Sequence, residues 1–373
     1  MPVDGRSSLG DGVPASSAQR ASEHVRTEVR GALGVVTLDR QRALNALTLE
    51  MVQAVADALR RFADDARVER VAITGAGERA LCAGGDVVHL VDDVRSNGGA
   101  GSIRFWSDEY RLNAAIARFQ KPVVAIQHGI VLGGGVGISG HASHRIVTDS
   151  TRIGFPEVTI GFVPDVGATW LLTRRPGELG TRAALTGEHF GAADAILLGL
   201  ADTYVPEARL PELLALLEST EPDEAIGRVA AHSPDGRLAG ERAIVDAAFA
   251  GGDAADALAR LDASGPEGER IAATIRTRSP YAVALTLEAL RRARELPNLE
   301  TALVQEYRVS RHTSQRPDFA EGVRAQLVDE DGAPKWQPPS LDEVAPGMVE
   351  ASFAAPSEGD LQLPARPHQE ETA

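Results

Sequence analysis

The sequence predicts an α/β core followed by an all-helical C-terminal region. From Val25 to about Val205, short apolar runs rich in β-branched residues alternate with longer stretches of helical periodicity. Such alternation is typical of strands joined by crossover helices. From Pro211 onward the strand-like runs disappear and amphipathic helical patterns dominate until about Ala345. We therefore predict a core over residues 25–210 and a helical region over 211–345.

The individual elements of the core follow from their local sequences. The predicted strands are Gly34–Leu38, Val71–Thr74, Val123–Ile126 and Arg145–Thr148. The predicted helices are Thr48–Asp64, Ile103–Arg118, Gly167–Thr173 and Gly180–Thr186, with Ala282–Ala293 as an example from the C-terminal region. Thr48 is a suitable N-cap, and Glu50 places an acid in the first turn of its helix. The termini, residues 1–24 and 346–373, are rich in small residues and proline and are predicted to be disordered.

Composition limits the possible partners. The formal net charge of −15 disfavours nucleic acid and anionic membranes as partners. No run approaches the roughly 18 apolar residues of a membrane helix, and the N-terminal segment lacks the apolar stretch of a secretory signal. The single cysteine, Cys82, excludes an internal disulfide and gives no cysteine metal cluster. A reducing, cytoplasmic location and no metal site are therefore expected.

Two glycine clusters follow apolar strands. His128–Gly137 contains three successive glycines, and Cys82–Asp86 contains two. Glycines leave backbone N–H groups uncovered, so two such strand ends can direct one donor each at a shared anion or carbonyl oxygen. A tight turn is the simpler interpretation of either cluster alone. A nucleotide-phosphate loop is disfavoured, because neither the G-x-G-x-x-G nor the G-x-x-x-x-G-K-[ST] pattern is present.

An apolar loop over Phe155–Gly167 contains two acids, Glu157 and Asp165. Carboxyl groups among apolar neighbours tend to have a raised pKa, because desolvation disfavours the charged form. Such groups are candidates for proton transfer or nucleophilic attack. From these residues alone, the simpler interpretation is that Asp165 caps the next helix and Glu157 forms a surface ion pair.

Taken together, these segments resemble the crotonase (enoyl-CoA hydratase/isomerase) superfamily in order and spacing. The segments are Leu38–Arg40, Leu44–Leu47, Ala80–Asp86, Lys121–Ala125, Gly133–Gly135 and Pro156–Glu157. The resemblance implies a crotonase-like spiral of ββα units. It also implies an oxyanion hole in which the N–H groups of Gly85 and Gly134 bind the thioester carbonyl of an acyl-CoA.

One departure points to a branch of that superfamily. Gly137 stands where hydratases have a second catalytic glutamate, which puts addition of water to a double bond in doubt. Other segments resemble the 3-hydroxyisobutyryl-CoA hydrolase branch, which acts in valine catabolism: Phe105–Asn113, His128–Gly129, Pro164–Gly167, Asp318–Ala325, Leu327–Asp329 and Pro334–Trp336. On that pattern Glu109, Gly134, Glu157 and Asp165 would bind the substrate, and Glu157 and Asp165 would be catalytic.

The resemblance implies thioester hydrolysis without a cofactor, since coenzyme A is part of the substrate. Glu157 would either attack the carbonyl or act as a general base, and Asp165 would bind a 3-hydroxyl on the acyl chain. A homo-oligomer is possible. The alternatives are an enoyl-CoA isomerase or atypical hydratase, and a non-catalytic acyl-CoA-binding subunit. Among single changes, Gly137→Glu is the one expected to raise hydration, provided that the site has room.

His128 is expected to form a structural hydrogen bond, and Cys82 is expected to be a small buried apolar residue. Arg174 and Arg175 could meet the CoA phosphates or simply be solvated.

Overall fold

The computed structural model describes residues 23–363 of the chain. Its strands are β1 (Val25–Arg30), β2 (Leu33–Leu38), β3 (Arg70–Gly75), β4 (Ala80–Cys82), β5 (Val123–Gln127), β6 (Ile130–Leu132), β7 (His144–Val147), β8 (Arg152–Gly154), β9 (His189–Phe190) and β10 (Thr203–Tyr204). All four predicted strands are confirmed, the fourth displaced by one residue. The last strand ends at Tyr204, as the change of pattern near residue 205 predicts.

Helices connect the strands, and helices joined by loops and turns form the described chain after β10. They are α1 (Leu49–Asp64), α2 (Val87–Asn97), α3 (Ala100–Ala117), α4 (Gly134–Gly137), α5 (Ala168–Thr173), α6 (Leu179–Thr186), α7 (Ala192–Leu198), α8 (Leu210–Leu217), α9 (Pro222–Val229), α10 (Leu238–Ala248), α11 (Ala254–Asp262), α12 (Pro266–Arg276), α13 (Pro280–Glu295), α14 (Leu299–Ser314), α15 (Pro317–Val323) and α16 (Pro346–Ala351). Thr48 caps α1 as predicted, because its hydroxyl accepts the Met51 N–H.

The strands form two sheets that the chain visits alternately. The six-stranded sheet has the order β1-β2-β3-β5-β7-β10, and the four-stranded sheet has the order β4-β6-β8-β9. β1 pairs antiparallel with β2, whereas β2, β3, β5, β7 and β10 are parallel to one another. Each turn of the chain thus adds one strand to each sheet, as β3 with β4, β5 with β6 and β7 with β8. This is the expected spiral of ββα units.

Both faces of the inner strands β2, β3 and β5 of the six-stranded sheet are buried, which explains their continuous apolar sequences, whereas the edge strand β1 is exposed after Val25. One face, with Leu33, Ala72 and Val124 among its residues, packs against α8 and α9 in a small cluster. The alternate side chains, such as Val36 and Ile73, belong to a larger core that extends from Val25 to Leu361. Helices α8 and α9 follow this boundary in the sequence but pack on the six-stranded sheet. The predicted boundary near residue 210 therefore marks where strands end and only helices follow, and it does not separate two independent cores.

The predicted disorder of residues 346–373 is wrong for residues 346–363. Helix α16 forms there, and Phe353 and Leu361 are 7% and 5% exposed. The Arg292 guanidinium lies 3.8 Å from the centroid of the Phe353 ring, and Arg308 forms an ion pair with Asp360 at 2.6 Å. Long-range partners therefore order a segment whose local composition favours disorder. The remainder of that tail, and residues 1–22 of the predicted N-terminal tail, lie outside the described residues.

Candidate active site

Three adjacent parallel strands end at the same place. β4, β6 and β8 are neighbours in the four-stranded sheet, and both pairings are parallel. The chain leaves these strands towards Gly85, Gly134 and Glu157, respectively. Because parallel strands have their carboxyl ends at one edge of the sheet, these three residues converge. A Cβ added to Gly134 would lie 3.4 Å from the backbone nitrogen of Gly85, so the two glycine segments are in contact.

The backbone donors of this edge are not used by the fold. Leu47 N–H donates to Gly84 O at 2.8 Å, and Asp86 N–H donates to Leu47 O at 2.9 Å, which secures the chain on either side of Gly85. Within residues 23–363, however, neither the Gly85 N–H nor the Gly134 N–H has a hydrogen-bond acceptor. Buried backbone donors are almost always paired, so two neighbouring unpaired donors are a place where a ligand oxygen can be bound.

Glu157 lies directly beside the glycine turn. It begins a 3₁₀ turn, Glu157–Ile160, and its side chain is buried. A Cβ on Gly133 would be 2.5 Å from Oε1 of Glu157, and Gly133 has φ +48°, so only glycine fits at that position. The other carboxyl oxygen, Oε2, has no hydrogen-bond partner among the residues that the structure describes. Burial, reinforced by the nearby Asp165, raises the pKa of Glu157 well above its usual value.

A second carboxyl group, that of Glu109, enters from α3. Glu109 is buried, and a Cβ added to Gly134 would collide with its Oε1. That oxygen has no hydrogen-bond partner in the described structure. Burial is the main cause that raises the pKa of Glu109 well above its usual value, and the proximity of Asp165 and Glu157 adds to it. Glu109 therefore faces the same space as the glycine donors and Glu157.

Asp165 completes the group of acids. Its side chain is buried, and Oδ2 accepts a hydrogen bond of 2.5 Å from the Tyr110 hydroxyl. Burial raises its pKa to about 7 in spite of this hydrogen bond. The simpler interpretation of the two loop acids is therefore wrong. The N-cap residue of α5 is Gly167 without a side-chain cap, and Glu157 is buried instead of forming a surface ion pair.

All five predicted site residues line one cavity of about 800 Å³. Phe105 and Trp106 form part of its apolar wall, and the Trp106 ring stacks on Phe162 with centroids 5.5 Å apart. The cationic residues that line the cavity are Arg40, Arg42 and Arg278. The cavity therefore combines unpaired N–H donors, raised-pKa acids, apolar walls and cationic groups.

Gly137 does not line this cavity. A Cβ at Gly137 would lie 2.7 Å from Cβ of Val166 and 2.9 Å from Nδ2 of Asn113. Contacts below 3 Å between such atoms require the neighbours to move. The condition attached to Gly137→Glu, that the site has room, is therefore not met in this backbone, because a glutamate side chain has no space beside Val166.

Cys82 and His128 have structural roles, and Arg174 and Arg175 lie away from the cavity. Cys82 is buried and its pKa is raised to about 12, chiefly by burial, which keeps the thiol protonated. His128 is buried, with Nε2 3.1 Å from Gly77 O, as expected of a structural histidine. Arg174 lies over the Trp170 ring and donates to Ala293 O, and neither it nor Arg175 lines the cavity.

Sequence reasoning missed three residues that support this site. Tyr110 belongs to a segment used for the resemblance, but its contact with Asp165 spans 55 residues. Ser310 lies 2.8 Å from the Tyr110 hydroxyl across 200 residues. Glu306, one turn earlier on α14, accepts hydrogen bonds from the N–H groups of Gly167 and Thr169 at 2.6 and 2.8 Å. The available signal was an acid four residues before a serine in the helical C-terminal region, but the sequence does not indicate which residues either side chain contacts.

In residues 23–363, no cluster of three or more His, Cys, Asp or Glu side chains could hold a metal ion. No helix in the same range is long and apolar enough to span a membrane.

Comparison with known proteins identifies the family. The family model described as enoyl-CoA hydratase/isomerase matches residues 33–353. The chain belongs to the enoyl-CoA hydratase/isomerase family. It is 34% identical to 3-hydroxyisobutyryl-CoA hydrolase, mitochondrial, from Danio rerio, over 93% of both chains. It is also 34% identical to 3-hydroxyisobutyryl-CoA hydrolase 1 from Arabidopsis thaliana, over 93% of this chain and 96% of that one.

Solved structures of family members extend the comparison. A crystal structure described as a carnitinyl-CoA dehydratase from Mycobacterium thermoresistibile is 46% identical with a TM-score of 0.88, and it covers 92% of this chain and 100% of its own. A structure described as an enoyl-CoA hydratase from Rhodobacter sphaeroides 2.4.1 is 40% identical with a TM-score of 0.85, over 91% and 100%. The crotonase-like fold is thus confirmed. The descriptions of these relatives name different reactions, and the geometry of the site is the evidence that distinguishes these reactions.

Proposed function

We propose that this protein is a thioesterase that hydrolyses a short 3-hydroxyacyl-CoA, with 3-hydroxyisobutyryl-CoA as the preferred candidate. The relatives named 3-hydroxyisobutyryl-CoA hydrolase support it, since they match nearly the whole chain. One structural observation carries the proposal. Glu157 stands beside the unpaired donors Gly85 and Gly134, while the position of a hydratase's second glutamate, Gly137, is closed by Val166.

The proposed reaction begins at the thioester carbonyl. Its oxygen accepts hydrogen bonds from the N–H groups of Gly85 and Gly134, which stabilise the negative charge that develops on that oxygen. Removing one such donor typically costs about 3 kcal/mol of barrier. Because these donors have no competing acceptor within residues 23–363, the carbonyl displaces no hydrogen bond of that part of the chain when it binds.

Glu157 supplies the next step in one of two ways. As a general base it takes a proton from water while the water oxygen adds to the carbonyl carbon. As a nucleophile it adds directly and forms an anhydride, which water then cleaves. In both routes the carbon–sulfur bond breaks, the CoA sulfur takes a proton, and one water molecule is consumed per free acid and thiol. Burial raises the pKa of Glu157, so the ionised carboxylate is a stronger base than an exposed one.

Asp165 and Glu109 form the polar end of the proposed acyl site. Both are buried and both line the cavity near Glu157. In the proposal Asp165 binds the 3-hydroxyl of the acyl chain and assists proton transfer, and Glu109 shapes the same end. An unpaired Glu109 Oε1 would gain a partner from a hydroxyl-bearing substrate and would lose nothing already formed.

A second candidate is an enoyl-CoA hydratase, dehydratase or isomerase. Glu109 favours it, because this side chain brings a further carboxyl group to the cavity although position 137 is glycine. Two acids facing one acyl chain could add or remove water, and Glu157 alone could move a proton along the chain. The structures described as a dehydratase and a hydratase, at 46% and 40% identity, are consistent with this alternative.

One assay separates the candidates. The full-length protein is incubated with 3-hydroxyisobutyryl-CoA, isobutyryl-CoA and crotonyl-CoA while free thiol and enoyl absorbance are recorded together. Thiol release from the hydroxyacyl ester supports hydrolysis. A change in enoyl absorbance without thiol favours the hydratase or isomerase. Tight acyl-CoA binding with neither signal would point to a non-catalytic binding subunit.

Three further parts of the proposal concern the setting of the reaction. Hydrolysis needs only water and proton transfer, so we propose that no metal or redox cofactor takes part. The single cysteine supports a reducing compartment, for which the cytoplasm is our proposal, although the Danio rerio relative is named as mitochondrial. A homo-oligomer is also proposed from the resemblance, and light scattering coupled to size-exclusion chromatography tests it.

A further inference from the structure

Helix α14 packs against the loop that carries Asp165, and none of its residues lines the cavity. Its residues Glu306 and Ser310 are four apart and therefore lie on one face of the helix. Both are buried, at 1% and 0% exposure. Ser310 contacts Tyr110, which binds Asp165, and Glu306 contacts the backbone that follows Asp165. The C-terminal region thus helps to shape the site through α14, although its residues that line the cavity lie outside that helix.

The contacts form a short chain through Tyr110. Its hydroxyl donates to Asp165 Oδ2 at 2.5 Å and lies 2.8 Å from the Ser310 hydroxyl. Since the Tyr110 proton is given to the carboxyl group, Ser310 donates to the phenolic oxygen. Tyr110 is fully buried, so neither bond competes with solvent.

The backbone next to Asp165 is held separately. Glu306 Oε2 accepts from the Gly167 N–H at 2.6 Å, and Oε1 accepts from the Thr169 N–H at 2.8 Å and from the Thr169 hydroxyl at 2.6 Å. Val166, which lies between Asp165 and Gly167, has φ +55°, a conformation that β-branched residues rarely adopt. Glu306 therefore secures a strained turn, and Tyr110 is left to set the direction of the Asp165 carboxyl group.

We propose that Tyr110 is a positioning residue for Asp165: its hydroxyl, oriented by Ser310, fixes the Asp165 carboxyl group and favours its ionised form in the acyl site. The inference rests on the proposed function for its catalytic consequence, but the contact itself is independent of that function. Tyr110 does not line the cavity, so it acts through Asp165 and not on the substrate.

The titratable neighbours of Asp165 determine whether loss of the Tyr110 hydroxyl raises or lowers the pKa of Asp165. Those that approach it or its loop are Glu109 and Tyr110 from α3, Glu157 from the preceding turn, Glu306 from α14, and His141, whose Nε2 lies 2.8 Å from Val166 O. Burial lowers the pKa of His141 to about 4, so it is neutral near pH 7. No cation among these neighbours favours ionised Asp165, and the Tyr110 hydrogen bond is the side-chain contact that lowers its pKa.

Tyr110→Phe removes only the hydroxyl and is the test. The acidic limb of the kcat/KM profile for thiol release should move to higher pH by about one to two pH units, since a hydrogen bond to a charged group is worth that much in pKa. At pH 6 the variant should lose about tenfold or more relative to wild type, and above pH 9 most of the loss should disappear. A profile that is lowered by the same factor at every pH would overturn the proposal.

Tyr281→Phe is the matched control. Tyr281 is also fully buried and bonded to a serine hydroxyl, that of Ser352 at 2.5 Å, but it does not line the cavity or contact Asp165. Its variant should lose comparable stability without any displacement of the pH profile. A displacement equal to that of Tyr110→Phe would mean that general loosening is the cause, and would overturn the proposal.

A direct measurement separates this inference from the proposed function. The pKa of Asp165 is read by ¹³C NMR on carboxyl-labelled aspartate, with Asp165→Asn assigning the signal. A higher pKa in Tyr110→Phe supports the inference even if no thioester is hydrolysed, whereas an unchanged or lower pKa overturns it. If Tyr110→Phe does not fold, Ser310→Ala replaces it, with a smaller increase expected and an unchanged pKa as the contrary result.

Discussion

Val166 occupies the space beside Gly137. A Cβ added to Gly137 would lie 2.7 Å from Cβ of Val166, and Val166 itself holds a left-handed conformation with φ +55°. The strained turn that presents Asp165 is therefore the same turn that closes position 137. In this chain the placement of one acid and the exclusion of another have a common structural cause.

The first prediction concerns Gly137→Glu. The new side chain would collide with Val166 and Asn113 and add a carboxyl group near three buried acids. We expect the free energy of unfolding to fall by about 3 kcal/mol, since overpacking and an unpaired buried charge both destabilise. Crotonyl-CoA hydration should not increase. Urea unfolding and enoyl absorbance measure the two quantities.

Two companion variants separate size from charge. Gly137→Ala tests the collision of Cβ alone and should account for part of the loss. Combining Gly137→Glu with Val166→Gly removes the opposing side chain and the left-handed strain, so stability should partly return. A stable Gly137→Glu protein that hydrates crotonyl-CoA rapidly would show that the described turn is not a fixed barrier.

The second prediction concerns Glu157→Gln. Glutamine has the same size but is neither a base nor a nucleophile, so thiol release should fall at least about 100-fold. The melting temperature should change little, because Oε2 of Glu157 has no partner to lose. Glu295→Gln, an exposed change on α13, serves as the matched control. A Glu157→Gln enzyme that keeps more than a tenth of kcat would remove Glu157 from its proposed role.

The third prediction concerns the acyl group. Buried acids left without a partner by an alkyl chain weaken binding more than a missing methylene does. We expect kcat/KM for 3-hydroxyisobutyryl-CoA to exceed that for isobutyryl-CoA at least about tenfold. Asp165→Ala should reduce this ratio towards one, because it removes the proposed partner of the 3-hydroxyl. Equal values in the wild type would leave the fold intact and reject the substrate.

The site residues that sequence reasoning found share a local signal. Gly85, Gly134 and Glu157 each follow a short apolar strand, and the parallel pairing of β4, β6 and β8 brings such strand ends together. Asp165, like Glu157, was indicated by its apolar loop, whereas Glu109 and the choice of Gly85 and Gly134 as the donors came from the family resemblance. The alternation of strands and helices likewise predicts the core, because each element is recognisable within ten to twenty residues.

What the sequence did not reveal depends on distant partners. Ser310 contacts Tyr110 across 200 residues, and Glu306 binds Gly167 across 139. Nothing local marks these pairs. The same holds for residues 346–363, where Asp360 pairs with Arg308 across 52 residues and helps to order a segment rich in small residues and proline. The closure of position 137 also depends on Val166, whose conformation no sequence pattern indicates.

The last prediction concerns Glu306 and the pH dependence of stability. Burial raises the pKa of Glu306 from 4.5 to about 8, although Thr169 and Gly167 donate hydrogen bonds to it. The folded state therefore holds this proton to higher pH than the unfolded state does. The resulting contribution to stability is complete below about pH 4 and is lost as pH rises through about 8.

Glu306→Gln removes the titratable group, so its proton no longer contributes to the pH dependence of stability. The variant should be less stable than wild type at pH 5, because an amide cannot accept all three hydrogen bonds from Gly167 and Thr169. Its deficit should shrink as the pH rises from 5 to 9, by as much as about 4 kcal/mol for a pKa difference of this size. Urea unfolding at intervals between pH 5 and 9 measures the difference, with Glu295→Gln as the control expected to show none. A deficit that stays constant over this range would mean that Glu306 is ionised throughout, and that its three donors, not burial, determine its charge.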